Sequence, residues 1–230
     1  MVLEERQEKL LQLVIENYIV TAEPVGSRFL SEKGGLEVSE ATVRNELRHL
    51  EEEGYLTHPH TSAGRIPTTV GYRYYLSSID LKVCGISKND SNTLEKAFAE
   101  TLDYDSARKN MAKTMVDLAE EAVLVAFSPE KVYYTGLTQL FSKPDFGEIK
   151  WVTSISEIFD RCEEYLPDFF ESVTVEPRYF FGLEHPFGPR LTVLSTRFGK
   201  HSESLIALVG PERMDYKYNW GLMQKVKEII

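Results

Sequence analysis

At 230 residues the chain is longer than one average domain and shorter than two, and its composition (42% hydrophobic, 27% charged, 11% aromatic) excludes a disordered or collagen-like protein. Two cysteines, Cys84 and Cys162, cannot build a disulfide framework, and neither has a nearby partner for a zinc site. With no apolar run near the roughly 18 residues of a membrane span, a soluble cytoplasmic protein is expected, and the net charge of −10 argues at first sight against a nucleic-acid partner.

The first eighty residues read as short helices with strong punctuation. Leu3, Leu10, Leu11, Val14, Ile15 and Tyr18 fall at helical spacing. Pro24 suits the first turn of a second helix, whose apolar side is Val25, Phe29 and Leu30 and whose end is Gly34-Gly35. Ser39 caps a third helix, Val43, Leu47 and Leu50 form its buried face, and Gly54 stops it. Tyr55–His60 and Arg65–Pro67 then predict two short strands around a tip at Thr61-Ser62-Ala63-Gly64, where Gly64 suits a tight reversal. A helix carrying Tyr72, Tyr75, Leu76 and Ile79 follows. Three small helices, a hairpin and a helix are the element order of a winged helix-turn-helix over residues 1–80.

Residues 81–92 are polar and rich in turn formers, which predicts a linker. Beyond it, 93–230 reads as a mixed α/β domain, so the fold class is α+β. Ala107, Met111, Met115, Leu118 and Ala122 make one helical stripe. Strands are expected at 123–127, 132–135, 174–181, 191–198 and 205–209, with helices near 156–166 and 216–230.

The third helix carries the chemistry. At 100° per residue its buried side chains lie within about 60° of one another, leaving Ala41, Asn45 and Arg48 opposite, flanked by Thr42, Arg44 and His49. Two guanidiniums can fork to guanine or phosphate, an amide can pair with adenine, and a small residue can approach a thymine methyl. A solvated polar face would look similar, but from Gly54 to Ile79 there is no Asp or Glu, while His58, His60, Arg65 and Arg73 are present. Arg65, beside the hairpin tip, is placed to reach a minor groove or a phosphate.

The run PVGSRFLSEKGGLEVSEATVRNELRHLEEEGYLTHPHTSAGRIPTTVGYRYYL, residues 24–76, closely resembles the heat-inducible transcription repressor family (HrcA). The resemblance returns at Gly136-Leu137, at Pro144-Asp145-Phe146 and at Gly210-Pro211-Glu212-Arg213-Met214-Asp215-Tyr216. It implies a homodimeric repressor that binds an inverted-repeat operator of chaperone genes and releases it on heat stress, with a chaperonin assisting its active form. Carried over position by position, the DNA-binding residues would be Ser39, Thr42, Arg44, Asn45, Arg48, Thr61, Ser62, Gly64 and Arg65. The remainder would be a GAF-like domain for dimerisation and regulation. Here Phe127-Ser128-Pro129 passes almost directly to Tyr133-Tyr134-Thr135-Gly136, so this is a short form in which part of the central GAF-like and inserted region is expected to be missing.

Other constellations are weak. His58-Pro59-His60 has no third or fourth metal ligand nearby, and Ser106-x-x-Lys109 matches a catalytic dyad by spacing alone. No phosphate-binding loop, dinucleotide fingerprint or nucleophile elbow is present, so neither an enzyme nor a cofactor is expected. The segment 210–215 reads as a loop in which Asp215 caps the last helix, rather than an anion nest. The competing reading of the whole is a ligand- or chaperone-sensing module with secondary DNA affinity.

Overall fold

The computed structural model describes residues 3–35, 38–60, 63–200 and 202–230. The chain is α+β and divides into two compact units, residues 1–80 and 81–230.

In unit 1, helix α1 (Glu5–Thr21) buries Leu10, Leu11, Val14 and Ile15, the stripe that its apolar spacing predicts. Helix α2 (Ser27–Lys33) starts later than Pro24 indicates: Gly26 is its cap, and Val25 is extended backbone paired with Arg65. Helix α3 (Glu40–Glu52) runs from the Ser39 cap and ends before Gly54, whose φ of +80° is the left-handed region that glycine adopts without strain. Strands β1 (Leu56–Thr57) and β2 (Ile66–Pro67) pair antiparallel, with Leu56 opposite Pro67 and Thr57 opposite Ile66. The hairpin ladder is shorter than expected because Arg65 spends its backbone groups on Val25 instead of on β1. Helix α4 (Thr69–Ser78) is capped by Thr68 and buries Tyr72 and Tyr75. Val25, Leu30, Val43, Leu47, Leu50 and Leu56 complete the core.

Unit 2 begins inside the segment expected as a linker. Residues 81–83 form a 3-10 turn, and helix α5 (Lys88–Ala99) already includes 88–92, capped by Ser87. Helix α6 (Tyr104–Ala119) follows, buried along Ala107, Met111, Ala112 and Met115. Strands β3 (Ala122–Ser128) and β4 (Lys131–Thr135) form a hairpin. Helices α7 (Leu137–Ser142), α8 (Ile149–Asp160) and α9 (Cys162–Ser172) come next, so the one helix expected over 156–166 is two, broken at Arg161. Strand β5 is limited to Arg178–Phe181, shorter than the expected 174–181, because Pro177 has no N–H to donate to a ladder. Strands β6 (Leu191–Phe198) and β7 (Ser204–Pro211) precede helix α10 (Tyr216–Ile229), capped by Asp215.

The five strands form one antiparallel sheet in the order β4-β3-β7-β6-β5. One face, with Leu124, Ala126, Val193, Leu205 and Ala207, packs against Ile155 and Phe159 of α8 and Leu166 and Phe169 of α9. On the other face Tyr179 meets the rings of Tyr216 and Trp220 from α10. Burial on both sides explains why these strands read as unbroken apolar runs rather than alternating ones.

At one end of this sheet lies a charged cluster. Glu121, just before β3, is 1% exposed and pairs with Lys143 at 2.6 Å. Gly210 makes room for it, since a Cβ there would sit 2.3 Å from the Glu121 carboxylate. Arg213 grips Asp145 nearby, with Nη2 to Oδ2 at 2.7 Å. Burial pushes the Glu121 carboxyl up to about 7 against the opposing pull of Lys143 and Arg213. The folded chain therefore holds this proton more tightly than the unfolded chain, and stability falls as pH rises from about 4.5 through about 7. Both tryptophans, Trp151 and Trp220, report on unit 2. In urea unfolding followed by their fluorescence, wild type should lose roughly 3 kcal/mol relative to Glu121→Gln across this window; equal pH slopes in the two proteins would count against it.

Candidate nucleic-acid interface

The candidate face is organised by how α3 is held. Its apolar side is fully sunk in the core of unit 1 through Val43, Leu47 and Leu50. Glu46 ties its flank to α1, accepting from Arg6 and from Gln7 Nε2, the latter at 3.1 Å. Burial alone would raise the Glu46 carboxyl, but its hydrogen bonds with Arg6 and Gln7 outweigh that and leave it below the ordinary value. Helix α3 is thus fixed in rotation about its axis, and one face is committed to solvent.

That face carries Ala41, Arg44, Asn45, Arg48 and His49, all exposed. The two sides of the helix are thus divided as the apolar spacing of its sequence predicts. At its start, Ser39 Oγ accepts from the Thr42 N–H at 3.2 Å and lies 3.0 Å from the Thr42 hydroxyl. Both hydroxyls are half engaged in holding the first turn. Arg44 and Arg48 each hold an acid one turn away: Arg44 to Glu40 at 2.7 Å and Arg48 to Glu52 at 2.9 Å. Exposed pairs of this kind are worth a few tenths of a kcal/mol, so both guanidiniums remain exchangeable.

The hairpin is placed differently from the sequence expectation. Gly64 is not at a positive-φ reversal; it passes against the chain before α2. A Cβ at Gly64 would lie 2.5 Å from the Val25 carbonyl carbon, so only glycine permits this approach. Immediately beyond, Val25 and Arg65 exchange two backbone hydrogen bonds, at 2.9 and 2.8 Å. The Arg65 side chain is not extended toward solvent, as a free groove-reaching arginine would be. It is 22% exposed and pairs with Glu51 Oε2 at 2.7 Å, while His58 takes the other oxygen of the same carboxylate. The acid-free run 54–79 is therefore not acid-free in space, because Glu51 reaches it from α3. Thr61 and Ser62 lie outside the described residues.

Between α2, α3 and the hairpin opens a cleft of about 370 Å³ walled by Ser27, Arg44, Leu47, Ala63, Gly64 and Arg65. It brings Arg44, Gly64 and Arg65 together, while Ser39, Thr42, Asn45 and Arg48 lie along α3 outside its lining. Sequence reasoning missed Ser27, Ala63, Glu40 and Glu51. The acid run Glu51-Glu52-Glu53 beside His58 and Arg65 was the available signal, but only the fold shows which acid turns inward.

Curated relatives define the class. A protein named heat-inducible transcription repressor HrcA from Carboxydothermus hydrogenoformans is 43% identical over 128 residues, 56% of this chain and 37% of that protein. Its namesake from Thermoanaerobacter sp. strain X514 is 41% identical over 136 residues, 57% of this chain and 39% of the relative. The one from Symbiobacterium thermophilum is 57% identical over 77 residues, 34% and 23% of the two chains. Each match thus spans less than two-fifths of the relative's own length. A crystal structure described as that of a hypothetical protein has a TM-score of 0.83 at 18% identity, covering 99% of this chain and 97% of that one, and so shares its fold. The family model for the HrcA protein C terminal domain matches residues 84–218, more than half of the chain. The chain belongs to the HrcA family, whose curated members are heat-inducible transcription repressors.

The docking of the hairpin can be tested directly. Gly64→Ala should cost about 1–3 kcal/mol through overpacking against Val25. It should also speed exchange of the Val25 and Arg65 amides in hydrogen-exchange mass spectrometry, leaving unit 2 unchanged. Wild-type protection at both amides would refute the close approach.

Proposed function

We propose that this chain is a sequence-specific DNA-binding repressor of chaperone genes, acting as a homodimer on an inverted-repeat operator. In this reading residues 1–80 are a winged helix-turn-helix. Helix α2 and helix α3 form the helix pair, α3 enters the major groove, and the β1–β2 hairpin is the wing. The observation that carries it is the solvent face of α3. Arg44, Asn45 and Arg48 stand exposed on a helix whose other side is locked by Val43, Leu47, Leu50 and Glu46. The repressor names of its relatives support the same reading.

The division of labour follows from chemistry. Arg44 and Arg48 offer paired N–H donors to guanine edges or phosphates, and Asn45 offers the donor and acceptor that suit adenine. Ser39 and Thr42, at the positive end of α3, favour a phosphate oxygen. The wing residues Thr61, Ser62, Gly64 and Arg65 would lie along the flanking backbone. Residues 81–230 would be a reduced GAF-like domain that pairs two copies and sets the two reading helices about one helical turn apart. Heat release and chaperonin response would act through that domain.

Sedimentation velocity of the full chain with and without an inverted-repeat duplex tests stoichiometry and binding together. Two copies per duplex are expected. Arg44→Ala and Arg48→Ala should each cost about 1–3 kcal/mol and alter base preference. A chain that leaves the duplex sedimenting alone, or variants that bind as wild type, would sink the reading.

A further inference from the structure

Among the described residues, the lining of the cleft between α2, α3 and the hairpin holds two arginines and no acid, yet each arginine is already occupied. Glu40 holds Arg44 at 2.7 Å, and Glu51 holds Arg65 at 2.7 Å. The two pairs differ in shelter. Arg44 and Glu40 are 71% and 41% exposed, whereas Arg65 and Glu51 are both 22% exposed. The Arg65 backbone is fixed to Val25 on both its N–H and its carbonyl, so only its head group can change partner. Its Nε is buried with no hydrogen-bond partner among the described residues, and Nη1 reaches the Ala63 carbonyl only at 3.5 Å. One guanidinium therefore sits at the wall of an open cleft with Glu51 as its one close side-chain partner among the described residues.

A carboxylate and a phosphodiester offer arginine the same thing, two oxygens sharing one negative charge. We propose that the cleft seats a single backbone phosphate of duplex DNA, and that Glu51 is its built-in competitor. This rests on the DNA-binding reading above. In the free protein Glu51 occupies Arg65. When a phosphate enters between Arg44 and Arg65, it takes over Arg65 while the second Glu51 oxygen keeps His58. Glu40 plays the same part for Arg44, with a weaker grip because that pair is exposed and adjacent on one helix. The competitor lowers affinity for every duplex by the same factor, since a phosphate carries no sequence information. The device thus keeps the wing from adhering to DNA at large while leaving base readout by α3 untouched.

Fluorescence anisotropy with the full chain separates this role from a structural one. The probes are a labelled mixed-sequence duplex and a labelled inverted-repeat duplex, each titrated over a series of KCl concentrations. Glu51→Gln keeps a polar partner for His58 and removes the charge that competes. It should tighten binding to both duplexes about tenfold and steepen the salt dependence by about one phosphate equivalent. The gain should vanish in the Glu51→Gln, Arg65→Ala double variant. Glu40→Gln, whose amide oxygen can still accept from the Ser27 hydroxyl that lies 3.2 Å from Glu40 Oε1, should give a smaller gain of the same sign that depends on Arg44. If Glu51 merely latches the hairpin, Glu51→Gln weakens binding instead, and the inference falls. If wild type binds and Arg48→Ala weakens it, while Glu51→Gln and Glu40→Gln leave affinity and salt slope unchanged, only the competitor role is lost. If wild type binds neither duplex at any salt, the DNA reading falls and takes this inference with it.

Discussion

Two backbone hydrogen bonds between Val25 and Arg65 tie the hairpin of unit 1 to the segment before α2. They join a segment that precedes α2 to one that follows α3, so the helix pair is closed into a frame. The hairpin side of the candidate face takes its position from that closure: the direction of the hairpin, the depth of the cleft, and the reach of Arg65 to Glu51. The closure depends on the absence of one atom, the Cβ that any residue other than glycine would place at position 64.

What could be read from the sequence was local. Ser39, Gly54 and the Val43-Leu47-Leu50 spacing define α3 because a cap, a stop and a stripe each act within a few residues. Unit 2 was legible where burial is two-sided, as in β3, β6 and β7. It was not legible in α5, whose twelve residues bury only Leu94 and Ala97, too few for a stripe to stand out from polar neighbours. The break at Arg161 escaped because α8 and α9 both send apolar residues to one face of the sheet, so helical spacing runs through it. The Glu51–Arg65 pair spans fourteen positions and two elements, a relation that only tertiary folding sets.

The charge balance acquires a structural meaning. Residues 1–80 carry eight Lys or Arg and thirteen Asp or Glu, a poor omen for a polyanion partner. Yet the cations of the candidate face are matched one for one by acids on the same helix: Glu40, Glu52 and Glu51. A matched pair is reversible, and it lets a basic site exist in an acidic protein without exposing a standing positive field. Net charge is thus a weak guide here, since it counts the partners as well as the donors.

The sheet of unit 2 ends in two short outer strands, β4 with five residues and β5 with four, while the central strands run to seven or eight. Each outer strand also opens on an exposed cation, Lys131 in one and Arg178 in the other. Short borders opening on a charged side chain offer little ladder for another chain to join. Growth of the sheet from molecule to molecule is thereby discouraged at both rims. The same feature guards the chain against stacking into fibres through its sheet.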